Sequence, residues 1–219
     1  RRAADVVETG QDVGLGTGST VFFALERLGE RIRDEGLVIR GVPTSVDTEI
    51  KAREFGIPLA TLAEIERFDV TIDGADEIDG AYAMIKGGGG ALLREKVVAA
   101  ATEHMVVVVG PTKVVDRLGT TFDLPVEVVP FARAAVERGI RALGGAPALR
   151  DADGAPYLTD NGNEILDVHF DGGIPDAPGL ELALDAIPGV VESGLFINLA
   201  RTLVVGYDDG SADLRNKGT

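Results

Sequence analysis

The chain of 219 residues has no cysteine and no tryptophan, and only two histidines, His104 and His169. Without thiols there can be no disulfide, no thiolate metal site and no cysteine nucleophile. Two histidines are too few for a His-rich zinc site, so no metal is expected. Positive charge is scarce too: 21 Lys plus Arg stand against 36 Asp plus Glu, a net charge of −15. That balance argues against nucleic acid or an anionic membrane as partner, since both need a basic footprint. Long apolar runs are missing, Met105 to Val109 falling far short of the ~20 residues of a membrane span. No secretory signal is apparent, and a soluble, cytoplasmic protein is expected. The chain begins at Arg1 without Met, inside an expected helix, so residues upstream are expected as well.

Lysine is the rarer base. Only Lys51, Lys86, Lys96, Lys113 and Lys217 occur, the other basic residues being Arg. An acidic, lysine-poor surface suits concentrated salt, where the Debye length falls to about 3 Å at 1 M. A GC-rich genome and an ordinary acidic enzyme would give the same bias. Glycine, by contrast, is plentiful at 29 residues, nearly twice the usual ~7%. Outside repeats, such an excess signals tight turns or backbone lying close to a ligand.

Strands and helices alternate along the first half. Gln11–Leu15 reads as a strand, Val21–Glu35 as a helix, Val38–Pro43 as a strand and Asp47–Phe55 as a helix. Short and longer strands follow at Leu59–Ala60 and Phe68–Ile72, then a helix over Ala91–Thr102 and a strand over Met105–Val109. This alternation indicates a parallel α/β sheet, whose ligands sit beyond the carboxyl ends of the strands. From Pro125 the pattern becomes β-α-β-β-α-β: Val126–Val129, helix 132–143, Tyr157–Thr159, Ile165–Phe170, helix 180–186 and Val190–Phe196. The middle two strands flank the Asn-Gly turn of DNGN (Asp160–Asn163), and the order matches a ferredoxin-like unit. The domains read as 1–124 plus 197–219, and 125–196, with the strand Thr202–Tyr207 returning to the first sheet.

Four segments could carry chemistry, three of them at strand ends. GLGTGST (14–20) follows a strand and opens a helix, so its backbone N–H groups, the Thr17, Ser19 and Thr20 hydroxyls and the helix dipole suit an anion. A dinucleotide fingerprint would need Gly where Ser19 stands, and no Walker lysine follows. DGADEID (73–79) places Asp73 and Asp76 in a turn, either as a carboxylate pair fit for proton transfer or as caps of backbone N–H groups. KGGGGALLREK (86–96) joins Lys86 to four glycines and to Glu95, early in a helix that Leu92 and Leu93 anchor while Glu95 takes another face. Lys113 follows a strand in VGPTK. His104 at a helix end and His169 at a strand end read as structural.

GTGST (16–20), DGADE (73–77), KGGGG with REK (86–96), PTK (111–113), LPVEVVP (124–130) and DNGN together resemble ribose-5-phosphate isomerase of the A type. The motifs run through almost the whole chain in the family's order, and with the acidic composition they suggest a haloarchaeal member. The resemblance implies a Rossmann-like domain with a smaller ferredoxin-like one, dimers or tetramers, and interconversion of ribose 5-phosphate and ribulose 5-phosphate without metal or organic cofactor. Carried over by position, the substrate-binding segments are Thr17, Gly18, Ser19 and Thr20; Asp73, Gly74, Ala75 and Asp76; Lys86, Gly87, Gly88 and Gly89; and Lys113. Glu95 matches the catalytic base. A glutamate base moving a proton between C2 and C1, with Lys86 and glycine N–H groups steadying the oxyanion, fits aldose–ketose isomerisation. Asp73 and Asp76 are the candidates for ring opening, and Lys113 with the GTGST loop for the phosphate. The rivals are a nicotinamide-dependent dehydrogenase, disfavoured by Ser19, and a non-catalytic sugar-phosphate sensor, disfavoured by Lys86 and Glu95 together.

If the acidic surface is a salt adaptation, the melting temperature should rise between dilute buffer and molar KCl. A melting temperature unmoved by salt would leave only the compositional explanation.

Overall fold

The computed structural model describes residues 1–218. In chain order its first elements are β1 (Asp12–Leu15), α1 (Ser19–Glu35), β2 (Arg40–Pro43), α2 (Val46–Glu54), β3 (Phe68–Gly74), β4 (Glu77–Ile78) and β5 (Met84–Ile85). Then follow α3 (Leu92–Ala100), β6 (Thr102–Val109), β7 (Leu124–Val128), α4 (Arg133–Ala142), β8 (Ala146–Leu149), β9 (Asp151–Ala152) and β10 (Ala155–Pro156). The chain ends with β11 (Glu164–His169), α5 (Ala177–Asp185), β12 (Val190–Ser193), β13 (Leu195–Phe196), β14 (Ala200–Gly206) and β15 (Ala212–Asn216). Two compact units result.

The first unit comprises Arg1–Gly74, Arg94–Thr112 and the stretch from Leu199 on. Its sheet has the order β15-β14-β6-β3-β1-β2, parallel except for the β14–β15 hairpin at one edge. β6 owes its inner place to an unbroken buried run, Met105 to Val109, the pattern of a strand covered on both faces. On α1, Val21, Ala24, Leu25 and Leu28 recur at helical spacing and face the core, and Gly36 ends the helix in the left-handed conformation. Those side chains pack on Val13, Leu15, Val70, Ile72 and Val106 of the sheet.

The second unit comprises Ala75–Leu93 and Lys113–Asn198. The boundary suggested by pattern, at Pro125, therefore falls inside it. Its four-stranded sheet runs β12-β7-β11-β8, antiparallel throughout, with α4 and α5 as the crossovers of a β-α-β-β-α-β unit. A smaller sheet, β13-β5-β4, belongs to the same unit. Leu124, Val126, Val128, Val136, Ile140, Leu166, Val168 and Leu184 form its core.

Several sequence expectations need correction. Leu59–Ala60 is a single bridge to Gly41 rather than a strand, and Tyr157–Thr159 likewise reduces to the bridge Leu158–Glu164. The partner of β11 in the ladder is β8, which pattern reading missed because Ala146 to Leu149 alternates weakly and carries a proline. The DNGN turn is real: Thr159 N–H donates to Asn163 O at 2.8 Å, and Glu127 of β7 accepts from Thr159 Oγ1, Asn161 Nδ2 and Asn163 Nδ2 at 2.8–3.2 Å. Val190–Phe196 is two strands in two sheets, divided at Gly194, whose N–H donates to Pro125 O at 2.7 Å. His104 lies in β6, not at a helix end, and bonds Thr202 Oγ1 at 2.9 Å.

Leu28→Ala should cost about 2–5 kcal/mol, because it opens a cavity at a fully buried position. By calorimetry the melting temperature should fall by roughly 5–15 °C. Leu182→Ala, at 71% exposure, should leave it nearly unchanged.

Candidate active site

Several of the sequence-predicted residues lie close in sequence to the points where the chain passes from one unit to the other. The passages lie at Gly74–Ala75, Leu93–Arg94, Thr112–Lys113 and Asn198–Leu199. Asp73, Asp76, Glu95 and Lys113 each stand within two residues of one of them.

In the first unit, β1 runs into the loop 16–18 and then α1. Gly16 lies directly on Asp73: a Cβ there would stand 2.2 Å from Asp73 Oδ1, so only glycine lets this backbone pass. Asp73, at the end of β3 and fully buried, accepts from Thr17 N–H at 3.1 Å and Gly74 N–H at 2.7 Å. The capping role weighed for it is therefore realised at Oδ1. Thr17 Oγ1 meets Thr44, Ser45 and Thr48 hydroxyls at 2.8–3.1 Å, and Thr48 Oγ1 donates to Gly16 O at 2.9 Å. Of the carried-over residues, Thr17 thus uses its hydroxyl to brace the loop. Gly18 is the N-cap of α1 and supplies no side-chain cap, so the first N–H groups of a 17-residue helix keep their capacity for an anion beside the Ser19 and Thr20 hydroxyls.

Glu95 belongs to this unit also. It sits in the first turn of α3, where a carboxylate gains from the helix dipole, and it is 5% exposed. Leu92 is fully buried, and Glu95 is buried as well.

In the second unit the four-glycine loop is held from several sides. Asp76 Oδ2 accepts from Gly88 N–H at 2.7 Å, and Asp76 Oδ1 stands 3.5 Å from Lys113 Nζ. Lys113 ends a single 3-10 turn, Pro111–Lys113, and its side chain is 41% exposed. Lys86 is 2% exposed; its N–H donates to Gly194 O at 2.9 Å, and its Nζ lies 5.4 Å from the centre of the Phe196 ring.

Three residues of this arrangement escaped the sequence reading. Arg150 Nη1 donates to Gly87 O at 2.9 Å and Gly88 O at 3.1 Å, while the rest of its guanidinium forks onto Asp167. Tyr157 Oη donates to Gly89 O at 3.3 Å, and a Cβ on Gly90 (φ +79°) would strike that hydroxyl at 2.2 Å. Burial holds the Tyr157 phenol above its usual pKa, with Arg150 opposing. Buried Glu77 accepts from Gly119 N–H, Thr121 N–H and Oγ1 and Phe122 N–H at 2.5–2.9 Å. Nothing local announces these roles, since Arg150 and Tyr157 lie more than sixty residues from the glycines they hold. A cavity of about 460 Å³ opens beside them, lined by Gly88, Thr121, Phe122, Asp123, Arg150 and Asp167. His169, the last residue of β11, is exposed, and Asp123 at 2.9 Å holds its imidazole pKa above the ordinary value.

The chain is similar to known proteins over nearly its whole length. The family model described as ribose 5-phosphate isomerase A (phosphoriboisomerase A) matches residues 40–210. Ribose-5-phosphate isomerase A of Thermosynechococcus vestitus is 51% identical over 220 residues, covering 98% of this chain and 92% of that one. The protein of the same name from Roseobacter denitrificans is 50% identical over 228 residues, covering 100% and 86%. Among solved structures, ribose 5-phosphate isomerase A from Methanocaldococcus jannaschii superposes with a TM-score of 0.93 at 41% identity, over 99% of this chain and 95% of that one. A D-ribose-5-phosphate isomerase in complex with phospho-erythronic acid gives 0.94 at 36% identity, over 98% and 94%. These two sequence relatives are cyanobacterial and proteobacterial, so they lend no support to the haloarchaeal origin suggested by composition.

Arg150→Met should remove both bonds to the Gly87 and Gly88 carbonyls, a loss of about 1.5–3 kcal/mol for bonds from a charged donor. Amide hydrogen exchange of Gly88 to Gly90 should then quicken roughly tenfold or more in a folded chain. Unchanged exchange would show that Arg150 does not hold the loop.

Proposed function

Since the chain belongs to the ribose 5-phosphate isomerase A family, we infer the division of labour among its residues from that reaction. The chain is an aldose–ketose isomerase that interconverts D-ribose 5-phosphate and D-ribulose 5-phosphate. One observation carries the assignment of its base: Glu95 is a buried carboxylate at the start of a helix, directly after the four-glycine loop.

Glu95 takes the proton from C2 of the open-chain aldose and returns it to C1, through an enediolate. A carboxylate shielded from bulk water transfers a proton without competing solvation. The negative charge that develops on the substrate oxygen needs fixed positive charge or N–H donors, which Lys86 and the Gly87 to Gly89 backbone supply. The bound sugar is mostly cyclic, and Asp73 and Asp76 serve ring opening. Asp76, with one oxygen on Gly88 N–H and the other near Lys113, is placed to change its bonding when substrate binds. The phosphate is taken by the α1 N-terminus, the Ser19 and Thr20 hydroxyls and Lys113.

The resemblance further supports a cytoplasmic homodimer or homotetramer acting on a small sugar phosphate, with no nucleic acid or membrane as partner. The acidic, lysine-poor composition supports work in concentrated salt. A non-catalytic sugar-phosphate sensor would keep the binding loops yet have no use for a buried Glu95.

Purified chain incubated with ribose 5-phosphate and EDTA should form ribulose 5-phosphate. Glu95→Gln should lower kcat by about 10²–10⁴-fold with KM changed only a few-fold. Near-normal turnover by that variant would remove Glu95 from the base role, and no turnover by the parent chain at any salt concentration would favour the sensor.

A further inference from the structure

We propose that Arg150 is a positioning residue for the isomerisation: it fixes the direction of the Gly89 N–H, and that donor meets the charge developing on the substrate. The proposal rests on the reaction assigned above and adds to it a residue from the turn between β8 and β9.

A trans peptide unit is planar, and its C=O and N–H point in opposite directions. Whatever holds the carbonyl of one residue therefore aims the N–H of the next. Three peptide units join Gly87 to Gly90, and all three carbonyls are held. Arg150 Nη1 donates to Gly87 O at 2.9 Å and to Gly88 O at 3.1 Å, and Tyr157 Oη donates to Gly89 O at 3.3 Å. The three N–H groups then differ in what they meet. Gly88 N–H points away from Arg150 and donates to Asp76 Oδ2 at 2.7 Å. Gly90 N–H turns back to Gly87 O at 2.9 Å. Gly89 N–H has no acceptor among the described residues. Its peptide carbonyl is held by the same Arg150 nitrogen as that of the Gly87–Gly88 unit, so it too points to the side on which Asp76 stands. Gly88 and Gly89 are exposed, whereas Gly87 and Gly90 are buried, so this donor is open to a ligand.

Arg150 is itself held in place. Its Nε and Nη2 fork onto Asp167 at 2.9 and 2.5 Å, which leaves both protons of Nη1 for the two carbonyls. Its side chain is 14% exposed, and its guanidinium carbon lies 5.8 Å from the centre of the Tyr157 ring. Main-chain bonds set the two residues side by side: Arg150 N–H donates to Ile165 O and Tyr157 N–H to Arg150 O, each at 2.9 Å. An ammonium is a point charge and cannot serve a carboxylate fork and two carbonyls from one plane, so lysine is a poor substitute. Donors fixed before charge appears need no reorganisation during the reaction, and that is the source of their effect on rate. Glycine has the greatest backbone freedom, so an unheld loop of four glycines would lose this advantage.

Replacing Gly89 by glycolic acid turns one amide into an ester, which removes that N–H and leaves every side chain in place. It should lower kcat about 10²–10³-fold, the loss of one oxyanion donor, with KM changed only a few-fold. Arg150→Met should lower kcat about tenfold or more at nearly constant KM. Arg150→Lys should recover only part of that loss, and it carries the same comparison if Arg150→Met fails to fold. In a chain with both the ester and Arg150→Met, kcat should lie within about threefold of the ester alone, because Arg150 then has no donor to aim. A purely structural role would multiply the two losses and raise KM through the disturbed loop. Near-parental kcat in the ester chain or in the Arg150 variants, or multiplied losses in the combined chain, would overturn the proposal. Turnover by the parent chain and by Glu95→Gln tests the isomerase reading separately, so failure here would leave that reading standing.

Discussion

Main-chain N–H groups donated to carboxylates hold the loops of both units. Asp73 takes Thr17 and Gly74, Asp76 takes Gly88, and Glu77 takes three backbone donors from 119–122. A carboxylate is a strong acceptor, and such bonds are roughly twice as strong as neutral ones. They also answer a cost: Asp73 and Glu77 are fully buried, and a buried charge without partners would be untenable. The loops that meet a ligand in the proposed reaction are thereby fixed before it binds, which is the requirement for aiming donors at charge that develops only in transit.

The same acidity sets a second constraint. A chain at −15 repels an anionic sugar phosphate at long range, so attraction has to be local and short-ranged. The α1 N-terminus, buried Lys86 and half-exposed Lys113 are the local sources. Two of only five lysines thus fall in the segments assigned to substrate. Elsewhere the basic residues, chiefly arginines, are engaged with carboxylates at the surface, as with Arg27 and Arg31 on Glu35 or Arg40 on Asp12. Arg150 serves two glycine carbonyls as well as Asp167, just as Arg31 serves the Ala4 and Val7 carbonyls as well as Glu35. Planarity lets one side chain do both.

How much could be read in the chain depended on the range of the interaction. The alternation of β1, α1, β2, α2 and β3, the buried run of β6 and the return of β14 all follow from apolar periodicity, a local property. The DNGN turn was legible for the same reason, since Asn-Gly prefers its own conformation wherever it occurs. What pairs with what was not. Apolar pattern leaves β8 unassigned and reads Tyr157–Thr159 as a strand, because β-propensity is weak where half a strand faces solvent and a ladder partner is chosen by the whole sheet. Val190–Phe196 reads as one strand, yet two sheets claim its halves.

The candidate residues divide along that line. Sequence alone determined which residue types stand beyond the strand ends: the glycines, Lys86, the Asp73 and Asp76 pair, Glu95 and Lys113, each in a motif that neighbouring residues define. Only the tertiary structure decided what surrounds them: that Glu95 and Lys86 are buried, that Thr17 turns its hydroxyl into a cluster with Thr44, Ser45 and Thr48, and that Arg150 and Tyr157 grip the glycine loop from afar. Glycine codes for freedom of the backbone and says nothing about the side chains that remove it. Those come from segments brought near by sheet formation, where burial strengthens each bond and makes every unmet polar group costly.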